Sequence, residues 1–271
     1  MIPAFSHRVA ARLPVFYGYV MIPVAMLLQI ATSPGQTFAI SAFTPHLRTA
    51  IALSDSQLSL AYMLGTLLAA FPLMLVGPLS DRYGLQRISF VTVCMLAAAC
   101  FFASRVTDFY SLLAAFFLLR FLGQGSLSLL SGNAISMWFR DRIGRVSAVM
   151  SVGTAVAFAW IPQWIHSCIA MTGWRGTFQW LSIIVAVTML PMVVFLFCNR
   201  PEDIGQTVDG IGESKSEEET DTSLPTPPCM NLRQAIRCRA FPILAGCNTV
   251  WAMAGTGIVF YLFTLCDDLG F

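Results

Sequence analysis

Residues 77–87 read GPLSDRYGLQR and separate two long apolar runs. Apolar chain precedes this stretch from Leu58 to Val76 and follows it from Ile88 to Ala103. A helix that crosses a bilayer needs about 20 apolar residues. A short break with an acid and two arginines between two such runs therefore predicts a tight turn between two membrane spans.

The composition excludes an ordinary soluble domain. The 271 residues are 56% hydrophobic and 11% charged, whereas a typical soluble domain is about 25% charged. The acids are also unevenly placed, since only four of the 14 precede residue 200: Asp55, Asp81, Asp108 and Asp141. Such a chain favours a lipid bilayer as its surroundings, and nothing in it favours a nucleic-acid partner.

Apolar runs of membrane-crossing length recur along the whole chain. They cover about residues 16–43, 58–76, 88–104, 109–139, 146–171, 178–198 and 241–265. This pattern predicts an all-α integral membrane protein with about seven transmembrane helices. We expect a six-span bundle over residues 1–198, a linker over 199–240, and a seventh span with the chain end over 241–271.

The linker differs in composition from the spans. It contains Glu217, Glu218, Glu219 and several prolines, which is typical of a solvated segment. The eight cysteines form no CxxC pair, and most lie inside apolar runs, where cysteine behaves as a small hydrophobe. The sequence therefore predicts no metal site and no cofactor.

The distribution of Lys and Arg predicts the orientation of the chain in the membrane. Twelve of the 16 Lys and Arg residues fall on the side of the N-terminus, three fall on the other side, and Arg120 lies inside a span. Cytoplasmic loops carry the excess of Lys and Arg. We therefore expect a cytoplasmic N-terminus and a cytoplasmic linker.

The stretch 77–87 also has a local chemistry. Gly77 and Gly84 permit tight turning, and Asp81 can cap the next helix or pair with Arg82 or with the basic turn at residues 140–145. Two interpretations stay open here. The turn either takes part in gating or merely fixes the orientation of the two spans.

Arg120 is the charge that lies within a span. Arginine at the centre of a bilayer costs about 2.5–3.5 kcal/mol on insertion scales, which favours a position facing the bundle interior or a wet cavity. At 100° per residue, Gln124, Ser128 and Ser131 share its face, and this stripe could meet an organic anion. The alternative is that Arg120 lies one turn inside the boundary and snorkels towards helix-end carbonyls.

The first span is interrupted at Pro34 and Gly35. Broken membrane helices expose backbone groups where a cavity is lined. Polar residues at helical spacing flank the break and are candidate solute ligands: Gln29, Thr32, Ser33 and Gln36. Hydrogen bonding between helices is the alternative role for them. Asn248, in the seventh span, is a further candidate.

Residues 77–87 resemble the signature of the major facilitator superfamily of transporters between spans 2 and 3. The matching positions are Gly77, Asp81, Arg82, Gly84 and Arg87. Six spans, a charged cytoplasmic linker and a further span resemble the first half of such a transporter. The stretch RFLGQG, residues 120–125, partly resembles an Arg-and-glycine motif of the same family.

Three further stretches resemble the branch that contains oxalate/formate antiporters and monocarboxylate transporters. They are Trp138-Phe139, Pro162 followed by GWR at 173–175, and NRPEDIG at 199–205. The resemblance implies a secondary transporter that moves a small organic anion, with or without a coupling ion, by alternating access. It also implies a gating role for the 77–87 motif and a bacterial inner membrane location.

The family has twelve spans, so the resemblance also leads us to expect that this chain is a truncated part of a transporter. A non-transporting membrane protein is the alternative, either a half-transporter that pairs with another chain or a receptor. An enzyme is not expected, because no nucleophile–base pair or metal-ligand cluster occurs within the spans.

Overall fold

A computed structural model of the chain describes residues 16–210, 238 and 240–269. Every regular element in these residues is helical. The chain divides into two units, Met1–Gly210 and Ile211–Phe271.

The first unit is a helical bundle. Its α-helices are α1 Gly18–Ile30, α2 Thr37–Ile51, α3 Asp55–Tyr83, α4 Leu85–Ala103, α5 Phe109–Leu119, α6 Ser128–Trp138 and α7 Ile143–Phe195. A 3-10 turn, Ser33–Gly35, joins α1 to α2, and a π-helical segment, Arg120–Leu127, joins α5 to α6. Two 3-10 turns, Pro201–Ile204 and Val208–Gly210, follow α7. The second unit contains α8, Ala240–Leu269.

The helices confirm the predicted membrane spans. Long apolar stretches cover Gly18–Ile51, Asp55–Tyr83, Leu85–Ala103, Phe109–Trp138, Ile143–Phe195 and Phe241–Phe260. The 53 residues of α7 would be about 80 Å long at 1.5 Å per residue, which exceeds twice the thickness of the hydrocarbon core. Gly173, at φ 72° and ψ 168°, breaks α7 into two span-length parts. Six crossings in the first unit and α8 in the second give the expected seven.

The turn within residues 77–87 is shorter than the sequence predicts. Helix α3 continues through Gly77 and Pro78 to Tyr83, and α4 begins at Leu85. The turn falls on Gly84 alone, at φ 88° and ψ 142°, a backbone conformation that glycine adopts without strain. The prediction of turning at Gly77 was wrong, because membrane helices tolerate Gly and Pro in their interior.

The connection between α2 and α3 shows the same tendency. Helix α2 runs to Ile51 and α3 begins at Asp55, so only three residues separate the two helices. Ser54 is the N-cap of α3, and its hydroxyl accepts a hydrogen bond from the Gln57 amide at 3.2 Å. The Gln57 side chain in turn accepts one from the Ser54 amide at 3.0 Å, which completes a capping box.

The break in the first span packs against the π-helical segment. A Cβ atom added at Gly123 would lie 3.1 Å from the Gly35 Cα and 3.1 Å from the Thr32 carbonyl oxygen. A Cβ atom at Gly35 would meet the Leu119 carbonyl oxygen. Only glycine at both positions allows this approach of backbones, which brings the break beside Arg120.

The loops form two groups of contacts at opposite ends of the helices. At one end the Tyr17 hydroxyl donates to the Leu196 carbonyl oxygen at 2.8 Å, and the Trp138 indole donates to that of Cys198 at 3.3 Å. At the other end the Arg175 guanidinium donates to the Val106 carbonyl oxygen at 3.3 Å. These groups correspond to the two membrane sides expected from alternating spans.

The first unit extends beyond Cys198, where the sequence analysis placed its boundary. Residues 199–210 pack onto the bundle. The Gln206 side chain accepts a hydrogen bond from the Tyr17 amide at 2.8 Å, and Asp209 Oδ2 accepts from the Arg140 and Asp141 amides at 3.0 and 2.8 Å. The rest of the expected linker, residues 211–237, lies outside the described residues, as do the arginines of residues 1–15.

Candidate functional site

Arg120 lies inside the bundle, with 7% of its surface exposed. Its Nε donates a hydrogen bond to Thr66 Oγ1 at 3.1 Å. Its Nη1 donates to the Gly35 carbonyl oxygen and to Thr37 Oγ1, both at 3.3 Å. The side chain therefore faces the bundle interior. The carbonyl that it binds belongs to the break in the first span and not to a helix end at the membrane surface.

An aromatic ring and hydroxyl groups support the guanidinium. The Tyr62 ring centroid lies 5.1 Å from the Arg120 guanidinium carbon, which is within the range of a cation–π contact. The Tyr62 hydroxyl donates to Thr37 Oγ1 at 2.9 Å, and Thr66 Oγ1 donates to the Tyr62 carbonyl oxygen at 2.8 Å. No Asp or Glu in residues 16–210 forms an ion pair with Arg120. Its charge is met there by neutral groups alone.

One guanidinium nitrogen remains available. No described residue accepts a hydrogen bond from Arg120 Nη2. Arg120 borders a cavity of about 270 Å³, which we call the arginine cavity; its lining is Thr66, Ala69, Ala70, Leu73, Arg120, Gln124 and Gly125. The buried Gln124 Oε1 has no partner among the described residues. The Arg120 guanidinium at this cavity wall can bind a carboxylate through charge-assisted hydrogen bonds, and Gln124 can add a donor only through its Nε2 group.

A second cavity of about 280 Å³ lies between α1, α6 and α7. We call it the hydroxyl cavity; its polar lining is Gln29, Ser128, Ser131, Ser147, Ser151 and Thr154. Gln29 Nε2 donates to Ser128 Oγ at 3.3 Å, and Ser131 Oγ donates to the Ala25 carbonyl oxygen at 2.7 Å. This lining contains no charged side chain.

The predicted stripe from Arg120 to Ser131 is divided between the two cavities. Gln124 lines the arginine cavity with Arg120, whereas Ser128 and Ser131 line the hydroxyl cavity. The expectation of a single face was wrong because it assumed α-helical geometry throughout. The π-helical segment widens the turn and rotates the residues that follow it.

The polar residues of the first span have different partners. Thr32 Oγ1 donates to the Gln29 carbonyl oxygen at 2.6 Å, and Ser33 Oγ donates to that of Ile30. Both side chains are buried and satisfy carbonyls near the break, and neither lines a cavity described above. Gln36 Nε2 donates to Thr32 Oγ1 at 2.9 Å. Of the four candidates, Gln29 borders a cavity.

Asn248 lies on α8, in the second unit. Its assignment to a solute site therefore remains a prediction.

The 77–87 motif lies at the other end of α3. Asp81 borders a third cavity of about 200 Å³, together with Ser80, Gly84, Leu85, Met137, Asn199, Arg200 and Asp203. The ion pair found in residues 16–210 joins Arg48 and Asp55, so Asp81 is not paired with Arg82. The Arg82 guanidinium instead lies 5.4 Å from the centre of the Tyr83 ring.

Asn199 supplies the cap that was expected from Asp81. Its Oδ1 accepts a hydrogen bond from the Gln86 amide, in the first turn of α4, at 2.7 Å. Asp81 is still within α3 and precedes the turn at Gly84, so a residue from beyond α7 caps α4 instead. The Gln86 side chain is fully buried and donates to the Val193 carbonyl oxygen at 2.9 Å, which ties α4 to α7.

Sequence reasoning missed the residues that hold Arg120. Thr37, Tyr62 and Thr66 belong to α2 and α3, and their sequence neighbourhood contains no motif that links them to Arg120. The one usable signal was that a buried arginine requires oxygen acceptors nearby.

The family model described as Major Facilitator Superfamily matches residues 25–271. A search of curated proteins found no match to the chain.

Proposed function

The chain belongs to the major facilitator superfamily of membrane transporters, and we propose that it moves a small organic anion by alternating access, with Arg120 as the residue that binds the anion. A mono- or dicarboxylate is the solute class. Members of this superfamily transport solutes and do not catalyse reactions, which favours a transporter over an enzyme.

The observation that carries this proposal is the charge state of the arginine cavity. Arg120 is buried, its described partners are neutral, and the residue borders the cavity while no described residue accepts a hydrogen bond from its Nη2. A buried charge without a counter-charge is costly, and an anion in the cavity would offset that cost. A neutral solute would leave the charge uncompensated, so the site discriminates in favour of anions.

The size and shape of the site support a small solute. A volume of about 270 Å³ lies just below the range of about 300–1,000 Å³ that is usual for ligand pockets. The resemblance of residues 138–139 and 199–205 to oxalate/formate antiporters and monocarboxylate transporters is an independent reason to propose a carboxylate.

We propose a cytoplasmic gate at the 77–87 motif, formed by Gly77, Asp81, Arg82, Gly84 and Arg87. Its support is the match to the superfamily signature and the exposed position of the charged residues at one end of the bundle. The excess of arginine on that side supports a cytoplasmic N-terminus and linker. A bacterial inner membrane is the location that the branch resemblance favours.

The test is binding and uptake of labelled formate, lactate and oxalate. The 271-residue chain is reconstituted in liposomes for uptake and in nanodiscs for thermal unfolding with each acid. Arg120→Gln is expected to weaken binding by about tenfold or more, because a hydrogen bond to a charged group contributes about 1.5–3 kcal/mol.

Arg105→Gln is the matched control, since Arg105 is exposed on a loop and stacks on Phe101 at 5.0 Å. It should leave binding unchanged. If none of the three acids accumulates or shifts the melting temperature, the assignment of an organic anion fails. If Arg120→Gln binds as tightly as the parent chain, Arg120 is not the anion-binding residue.

A further inference from the structure

We propose that the π-helical segment Arg120–Leu127 determines which cavity Arg120 serves, and that Ser126 is the positioning residue that holds this segment open. The inference rests on the proposed function, because it concerns the orientation of Arg120, the proposed anion-binding residue. It assigns a role to a serine that lines neither of the two cavities.

The π-helical segment changes which residues share a helix face. In a continuous α-helix, Arg120, Gln124, Ser128 and Ser131 would lie within about 80° of one another at 100° per residue. All four would then border one cavity. In the structure the first two line the arginine cavity and the last two line the hydroxyl cavity. One extra residue in a turn rotates the following helix by about 100°, which accounts for this separation.

Ser126 forms a hydrogen bond whose spacing along the chain is that of a π-helical turn. Its Oγ donates to the Phe121 carbonyl oxygen at 2.8 Å, five residues back along the chain. Serine and threonine in α-helices bond carbonyls three or four residues back, as Ser41 does with Phe38 and Thr66 with Tyr62. The bond of Ser126 therefore matches the π spacing and would be lost in an α-helical turn.

The π-helical segment also packs against the break in the first span. Gly123 contacts Gly35 closely, and the Gly35 carbonyl oxygen accepts a hydrogen bond from Arg120 Nη1. The break in the first span thus holds both the start and the middle of the π-helical segment. Farther along the segment, Gly125 lies against Leu73, and Ser126 is the side chain whose hydrogen bond spans the wide turn.

The consequence is a defined change when Ser126 loses its hydroxyl. The segment can then tighten to α-helical spacing, which turns Gln124 and Arg120 relative to Ser128 and Ser131. Gln124 leaves the wall it shares with Leu73 and approaches the wall that contains Ser147. The arginine cavity loses part of its polar lining, and anion binding weakens.

The first measurement needs no solute. In a background without the eight native cysteines, Gln124→Cys is combined with Leu73→Cys, in the arginine cavity, or with Ser147→Cys, in the hydroxyl cavity. With Ser126 present, the 124–73 pair should cross-link faster. With Ser126→Ala, the 124–73 reaction should slow several-fold and the 124–147 reaction should accelerate.

Two variants serve as controls for this measurement. Ser126→Thr keeps a hydroxyl in place and should retain the parent cross-linking pattern. Ser136→Ala removes an exposed serine on α6 whose Oγ bonds the Asn133 carbonyl oxygen three residues back, and it should change nothing. If Ser126→Ala cross-links like the parent chain, the inference is overturned.

The second measurement is the affinity for formate, lactate and oxalate in the chain with its native cysteines. Ser126→Ala should weaken binding by about tenfold, because the loss of the hydroxyl changes the orientation of the Arg120 side chain. Ser126→Thr keeps the hydroxyl and should bind the acids normally. If the acids bind through Arg120 but Ser126→Ala changes neither affinity nor cross-linking, this inference fails and the proposed function stands. If the cross-links move but no acid binds, the anion assignment fails and the positioning role stands.

Discussion

Arg120 shows how one buried charge organises the polar groups around it. Its three described hydrogen bonds go to a backbone carbonyl and two threonine hydroxyls, which come from the break in the first span and from α2 and α3. These partners orient the guanidinium but do not neutralise it. The remaining electrostatic cost favours a site that is most stable when an anion is bound.

The two glycines of the 77–87 motif have different roles at the residue scale. Gly84 has φ 88°, and a Cβ atom there would lie 3.4 Å from the Asn199 side-chain nitrogen. Gly77 is inside α3, and a Cβ atom there would have no neighbour within 4 Å. The sequence identified both as turn residues, because a glycine in a charged stretch looks the same whether or not the chain turns at it.

We predict that Gly84→Ala destabilises the bundle by about 1–3 kcal/mol, because alanine is strained at the positive φ of this position. Gly77→Ala is the matched control and should be neutral or stabilising by about 0.5–1 kcal/mol, since alanine is the better residue inside a helix. Thermal unfolding of the purified variants in detergent measures both. Equal losses of stability would contradict the assignment of the turn to Gly84 alone.

At the scale of the elements, the length of the apolar runs predicted most of the fold. The spans and the break at Pro34 both follow from local sequence. The π-helical segment does not, because an inserted residue leaves no mark on composition and shows only when two faces are compared in space. The extra residue in the π-helical turn is the reason that the predicted polar stripe is divided between two cavities.

The cap of α4 also depended on a long-range contact. Asp81 is four residues from the start of α4, whereas Asn199 is more than 100 residues away, and local reasoning selected the nearer side chain. Only the packing of residues 199–210 against the end of the bundle brings Asn199 to the Gln86 amide.

We predict that Asn199→Ala lowers stability by about 1 kcal/mol, the usual cost of losing a cap, because the Gln86 amide loses its acceptor. Asp81→Ala should leave stability unchanged, since Asp81 accepts no hydrogen bond from the first turn of α4. Melting temperatures of the two variants, with hydrogen exchange of residues 85–88, separate the roles. A larger loss of stability for Asp81→Ala than for Asn199→Ala would mean that Asp81 is the cap of α4.

At the scale of the whole first unit, residues 196–210 join helices that are far apart in sequence. They bond Tyr17 before α1, Gln86 in α4 and Trp138 at the end of α6. Asp209 adds the turn before α7, through the amides of Arg140 and Asp141. The polar composition of residues 199–210 predicted that they belong to a solvated linker. The polar groups serve instead as acceptors for backbone and side-chain donors at one end of the bundle.

Asp209 is the side chain on which the last of these contacts depends, because it is buried and one of its oxygens accepts two backbone hydrogen bonds. We predict that Asp209→Ala leaves both amides without an acceptor, destabilises the unit by about 1–3 kcal/mol and makes residues 199–210 more sensitive to protease.

Asp209→Asn should retain part of the stability, since asparagine keeps an acceptor oxygen and tolerates the left-handed backbone at φ 60°. Asp203→Ala, an exposed acid of the same segment, is the control and should cleave at the parent rate. Cleavage of Asp209→Ala at the parent rate would mean that the segment is held by its contacts with Tyr17, Gln86 and Trp138 alone.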